Sequence, residues 1–301
     1  MTLRQPVFIL CPGRSFSSVV CAAIGQHPEM FGLPEVNLFV RPDLGSLIDL
    51  DVPFVGLPNI LIGLRRAIAE LEFGGQTEET VRQANRWMAE RRDWTGAQVF
   101  EALREMAGGR ALVDKTPTNS QNKPLQALHQ AYPDAFYLHL ARHPRATARS
   151  RAQATSQRKQ SFAIASRGAG EADLEKLWVG RHASLVAFGH SLRPEQYMYL
   201  KGELFLEDPE SILRQICEWV GVSTDPDAIA AMMRPEESPF ASYGPENAKL
   251  GNNAGFIEAP ELRVGKPREE NLDDPLEWVE DRTAYFDPRT RLLAAALGYG
   301  D

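Results

Sequence analysis

The chain has 301 residues, 43% of them apolar and 24% charged, the balance of an ordinary globular protein with material for a large core. Its 33 basic and 40 acidic residues leave a formal charge of −7, which argues against a general nucleic-acid binder and against attachment to anionic lipid by average charge, so an anion site has to be local. Cys11, Cys21 and Cys217 form no C-x-x-C pair and sit in apolar runs, as buried thiols in a reducing compartment do, and no apolar run approaches the ~18 residues of a membrane span. The expected location is cytoplasmic.

Val7 to Leu10, bounded by Pro6 and Pro12, is a continuous apolar run of the kind that forms a strand buried on both faces. After the turn Pro12-Gly13-Arg14-Ser15, Val20, Cys21 and Ile24 recur at helical spacing, and Pro28 closes the segment. A helical insertion follows over about residues 55–108, where Ile60, Leu64, Ile68 and Leu71, then Val99, Leu103 and Met106, keep one apolar face. Strands are expected again at Ala111 to Val113, at Ala135 to Ala141 after a helix around Leu125 to Ala131, and at Tyr197 to Leu200. Pro209 opens a further helix that Gly221 ends, and residues 234–275 are loop-rich. The pattern predicts one α/β domain over 1–301, three-layered and P-loop-like, with a mostly parallel central sheet of four to five strands and helices on both faces.

Two segments carry chemistry. Pro12-Gly13-Arg14-Ser15-Phe16-Ser17-Ser18 lies where a strand hands over to a helix, so backbone N–H groups, hydroxyls and a guanidinium converge as a phosphate or sulfate requires. An ordinary Ser-capped helix start presents the same residues. It is not a Walker A loop, since the second Gly and the Lys are absent, which weighs against a P-loop kinase or phosphotransferase. The second segment runs from Arg142 at a strand's C-terminal end through His143, Pro144, Arg145 and Arg149 to Ser150. From Ala135 to Gly170 it holds no acidic residue. It reads as a local positive field or as a solvated basic helix face.

Together the two resemble the donor site of sulfotransferases that use 3′-phosphoadenosine 5′-phosphosulfate (PAPS). Pro12 to Ser18 is similar to their 5′-phosphosulfate loop, and Arg142, followed eight residues later by Ser150, to their 3′-phosphate site. Asp114-Lys115-Thr116-Pro117 resembles the family's Lys-Thr segment, and Tyr197 to Pro209, with Glu203, a degraded form of its strand-then-E-D-L-x-x-x-P segment. The likeness spans roughly residues 6 to 220 and is greatest to bacterial members, including sulfotransferase domains of polyketide pathways. It implies transfer of a sulfuryl group to a hydroxyl of a small-molecule, lipid, polyketide or sugar acceptor, with 3′-phosphoadenosine 5′-phosphate (PAP) as product and no metal. Arg14, Ser15, Ser17 and Ser18 would hold the donor's 5′ end, and Arg142 and Ser150 its 3′-phosphate. Arg263, Gly265 and Lys266 match only the core of the family's late Gly-rich loop. Phe16 stands where the family usually has Gly, and because Phe does not cheaply take φ > 0 the loop is expected to be right-handed there or to differ from the family's.

Sulfuryl transfer needs a group that takes the acceptor's proton and cations that stabilise the leaving phosphate. Pro117 occupies the place after Lys-Thr where cytosolic members keep a His, so Glu35, shortly after the first helix, is the expected base and His143 the reserve. Lys115 and Arg14 are the expected cations, with a salt bridge from Lys115 to Asp114 as the plainer role. A non-catalytic nucleotide-binding module would carry many of the same residues. Residues 155–170, basic and Ser-rich, suit a lid or a linker, and Phe39, Phe54, Trp87, Trp94 and Phe162 suit an acceptor pocket or the core. The sequence does not reveal an oligomeric state.

Overall fold

The computed structural model describes residues 3–51, 59–161, 171–276 and 284–300, with side chains undescribed at 153–161 and 171–173. In chain order the elements are β1 (Val7–Leu10), α1 (Ser17–Gly25), β2 (Met30–Gly32), α2 (Leu44–Leu50), α3 (Ile62–Phe73), α4 (Glu78–Ala89), α5 (Gly96–Met106), β3 (Ala111–Asp114) and α6 (Asn122–Ala131). Then follow β4 (Phe136–Ala141), α7 (Pro144–Ser161), α8 (Glu171–His190), β5 (Tyr197–Lys201), α9 (Gly202–Glu207), α10 (Pro209–Val220), α11 (Pro226–Met232), α12 (Ala254–Glu258) and α13 (Pro288–Ala296).

The strands form one five-stranded sheet in the order β2-β3-β1-β4-β5, every pairing parallel. β1 sits at its centre, with Val7 opposite Val113 on one side and Phe136 on the other. Side chains alternate across a strand. Phe8 and Leu10 therefore face one core, packed with Leu112 and Tyr137 and covered by α3 to α6, while Val7 and Ile9 face a second core with Val113, Leu138 and α1, α10 and α11. All four side chains are fully buried, each worth about 1.5–3 kcal/mol against exposure, so β1 delivers the following loop from a rigid base.

Local signals set the ends of the helices. Thr77 and Thr95 make capping boxes with Thr80 and Gln98. Asp208 caps α10, Pro209 opens it, and Gly221, at φ 76, ends it in the left-handed region. β2 is the strand that pattern reading passes over, since it has three residues and finishes on Gly32. The region after residue 234 is not all loop, because Asn253 caps the short α12. Phe39 and Trp87 belong to the core, and Arg91 lies over the rings of Trp87 and Trp94 at 4.3 and 5.2 Å. Phe54 and Phe162 lie outside the described residues. Of the expected lid, residues 155–161 continue α7 and 162–170 lie outside the described residues.

Candidate active site

In open parallel sheets, ligands bind outside the carboxyl ends of the strands. Here all five strand ends contribute to one region: the Pro12–Ser18 loop after β1, Glu35 after β2, Lys115 after β3, Arg142 after β4 and Gly202 after β5. A cleft of about 320 Å³ opens there, lined by Arg14, Ser15, Phe16, Ser17, Ser18, Arg142, Ser150 and Arg263 among others.

The loop turns through three left-handed residues, Gly13 (φ 77), Arg14 (φ 63) and Phe16 (φ 64). The expectation of a right-handed Phe16 is thus overturned. Phe16 is also the N-cap residue of α1 and supplies no side-chain cap, so the first amides of the helix keep their capacity for an external acceptor. The loop is tied from outside. Arg14 Nε donates to Ser150 Oγ at 3.1 Å, Arg142 Nη1 donates to the Arg14 carbonyl at 3.0 Å, and Arg151 donates to the carbonyl of Pro12. Pro12 and Gly13 shape the turn without lining the cleft.

Arg142 is partly buried, and its guanidinium lies 4.2 Å from the Phe16 ring centroid. Its Nε is buried with no partner among the described residues, and burial lowers its pKa from the usual guanidinium value, against the pull of Glu203. Trp178 Nε1 holds its carbonyl at 3.0 Å. The rest of the basic run divides. Arg145 is buried and donates to the carbonyls of Asn271, Pro275 and Asp274, and Arg149 makes a two-pronged pair with Glu270 at 2.7 and 2.9 Å. These two arginines fasten the 270–275 segment to α7 rather than supplying an open positive field.

Lys115 is 1% exposed and ties the loop after β1 to the segment after β2. Its Nζ donates to Ser18 Oγ at 3.2 Å and to Glu35 Oε1 at 2.9 Å. Asp114 is not its partner, since Asp114 accepts from Thr116 N and Asn119 Nδ2, both at 2.8 Å, while burial pushes its carboxyl pKa up. The Glu35 segment is pinned from two directions: Val36 N donates to Thr116 Oγ1 at 3.0 Å, and Glu35 N to the Gly251 carbonyl at 3.0 Å. A side chain at Gly63 would come within 2.1 Å of the Glu35 carbonyl, so α3 backs directly onto it. Ser18 therefore belongs to both the cleft and the Lys115–Glu35 pair.

His143 stands apart from that pair. It lines a neighbouring cleft that shares Phe16 and Arg142 with the first and also holds Lys201, Glu203 and Tyr299. Its Nδ1 accepts from Arg145 N at 3.2 Å, its Nε2 is buried without a partner among the described residues, and burial lowers its pKa to about 4, so it is neutral at pH 7. Of the late loop, Arg263 lines the main cleft. Gly265 N donates to the Leu206 carbonyl at 2.9 Å, and Lys266 is exposed and lines neither cleft. In sequence Arg151 is one more cation of the basic run, with no site role of its own, and the cleft-lining Val19, Leu206, Asn253, Phe256 and Glu261 do not stand out. The Asn-Asn-Ala-Gly run that caps α12 is the one local signal that marks the last part of this wall.

No helix among the described residues is long and apolar enough to cross a membrane. No curated protein matches the chain in sequence. In fold it is similar to the sulfotransferase domain of the Synechococcus PCC 7002 olefin synthase, at 22% identity and a TM-score of 0.72 over 99% of this chain and 97% of that one. It is similar also to the sulfotransferase domain of the curacin biosynthetic pathway, at 18% identity and a TM-score of 0.71 over 99% of both chains. A Mycobacterium avium sulfotransferase shares 13% identity and a TM-score of 0.54 over 98% of this chain and 76% of that one. The profile of the sulfotransferase family matches residues 6–226, which take in the loop after β1, Lys115, Arg142 and Ser150, and the chain accordingly belongs to the sulfotransferase family.

Proposed function

We infer that residues 1–301 form one sulfotransferase domain that moves a sulfuryl group from PAPS to a hydroxyl acceptor. The observation that carries this reading is the shared position of Ser18, which joins a cleft lined by Arg14, Arg142 and Ser150 to the Lys115–Glu35 pair. In this reading Ser17, Ser18 and the first amides of α1 receive the donor's 5′ end, and Arg142 and Ser150 its 3′-phosphate. The acceptor oxygen forms its bond to sulfur as the bond from sulfur to the 5′-phosphate oxygen breaks, and that oxygen keeps the electron pair. Lys115 and Arg14 stabilise the charge that collects there. The acceptor's proton goes to Glu35, whose Oε2 takes no hydrogen bond among the described residues.

Calorimetry with PAP and with ATP, each with and without EDTA, tests the donor. PAP is expected to bind equally well in both conditions and more tightly than ATP. ATP binding that requires Mg²⁺, with no binding of PAP, would turn the assignment to a phosphotransferase. PAP binding without turnover of PAPS on any hydroxyl acceptor would leave a nucleotide-binding module.

A further inference from the structure

Phe16 is an expensive choice for its position. A non-glycine residue in the left-handed region is strained, and such strain persists where the surroundings fix it. Two neighbours do so here. The Arg142 guanidinium lies 4.2 Å from the ring centroid. On the β5 side, a Cβ at Gly202 would meet Phe16 Cδ2 at 2.5 Å, so the ring has its seat only because residue 202 has no side chain. The ring thus occupies the partition between the two clefts, lining both, as Arg142 does.

That partition matters because Arg142 has rival partners. Glu203 and Glu207 line the second cleft, and Glu203 exerts the strongest electrostatic attraction on Arg142. Nη1 is fixed on the Arg14 carbonyl, but Nε has no acceptor among the described residues, so one hydrogen bond alone holds the guanidinium's direction. We propose that Phe16 and Gly202 are a matched pair in which the ring, seated against the glycine, holds the Arg142 guanidinium toward the donor cleft and gives that cleft its preference for nucleotides bearing a 3′-phosphate. Phe16 is then a positioning residue acting through Arg142. The inference rests on the donor reading above.

The test is calorimetry of the full chain with PAP and with adenosine 5′-monophosphate, which lacks the 3′-phosphate. The ratio of the two affinities reports on Arg142 in a way that general loss of stability does not. Wild type is expected to favour PAP. Gly202→Ala, which displaces the ring, and Phe16→Leu, which keeps apolar bulk without a π face, should each cut that preference roughly 3- to 30-fold, beyond any loss that both nucleotides share through the loop that holds their 5′ end. Phe16→Gly, which relieves the backbone and so preserves the fold, should do the same. Gly202→Ala added to Phe16→Gly should then cost nothing further, because no ring is left to displace. An unchanged preference in Phe16→Leu and Gly202→Ala, or equal effects of Gly202→Ala in both backgrounds, would overturn the pairing while the donor reading stands. Failure of the wild type to bind PAP would overturn both.

Discussion

Glu35 and Lys115 share one hydrogen bond, and their substitutions separate the roles assigned to them. Glu35→Gln keeps the shape and an acceptor for Lys115 but removes the basic oxygen. It is expected to leave PAP affinity nearly unchanged and to lower kcat by ~10²- to 10⁴-fold, the usual contribution of a positioned base. Lys115→Ala should reduce turnover and, modestly, PAP affinity, since it removes a cation that also holds Ser18. His143→Asn is the control: the amide oxygen can still accept from Arg145 N, and its effect on turnover should be mild. If rate assays show near-normal turnover in Glu35→Gln and none in His143→Asn with PAP binding intact, the base is His143 and Glu35 is structural. Lys115 and Glu35 are 80 positions apart, so their contact is not legible in the order of residues, although both stood out as candidates. The handedness of Phe16 was illegible for a related reason, because its cost is met by Arg142 and Gly202, both far along the chain.

At the scale of elements, β4, α7, the turn between them and α8 carry charged and titratable groups that look alike in sequence and differ in burial. Arg142 opens on the cleft, whereas Arg145, three residues on, is buried against three backbone carbonyls. Arg145→Ala should cost about 2–5 kcal/mol in denaturant unfolding, because those carbonyls lose their charged donor inside the protein. Arg142→Ala should change stability little and weaken PAP binding by roughly 10- to 100-fold, the range of a hydrogen bond to a charged group. Reversed magnitudes would exchange their roles. The histidines give a pH dependence. Burial lowers His143 to about 4 and His139 to about 3, and lowers His182 as well, while His139 Nε2 lies 2.8 Å from His182 Nδ1. Each is neutral when folded but binds a proton near pH 6.5 when unfolded, so the unfolded state gains protons first as pH falls. This stabilisation is complete above about pH 6.5 and is lost progressively toward pH 4, with His143 contributing at most about 3 kcal/mol. Thermal unfolding from pH 7.5 to 4.5 should show that decline, and His143→Asn should make it shallower; an unchanged slope would mean that His143 titrates normally in the folded protein.

Over the whole molecule, what was legible followed burial along short stretches. β1, β3, β4 and β5 announce themselves as apolar runs because a central parallel strand is covered on both faces, and the loop after β1 is conspicuous because Arg and Ser replace apolar residues at once. What was not legible depends on segments that meet from far apart: the 270–275 segment against α7, the Gly251 carbonyl on Glu35, and Asn253 and Phe256 in the cleft wall. The same convergence yields a prediction for the molecule as a unit. The cleft is assembled from the ends of β1 and β4, from α7 and from the 253–263 segment, so a nucleotide that bridges them should stabilise the global fold rather than one loop. PAP at about 100 times its dissociation constant contributes about 2.7 kcal/mol, which for a chain of this size raises Tm by on the order of 5 °C. Scanning calorimetry should show that rise with and without EDTA, concentration-dependent and cut at the same PAP concentration to roughly a half to a sixth in Arg142→Ala. A rise of the same size in Arg142→Ala, or one that appears only with Mg²⁺, would place the nucleotide somewhere other than between the loop after β1 and Arg142.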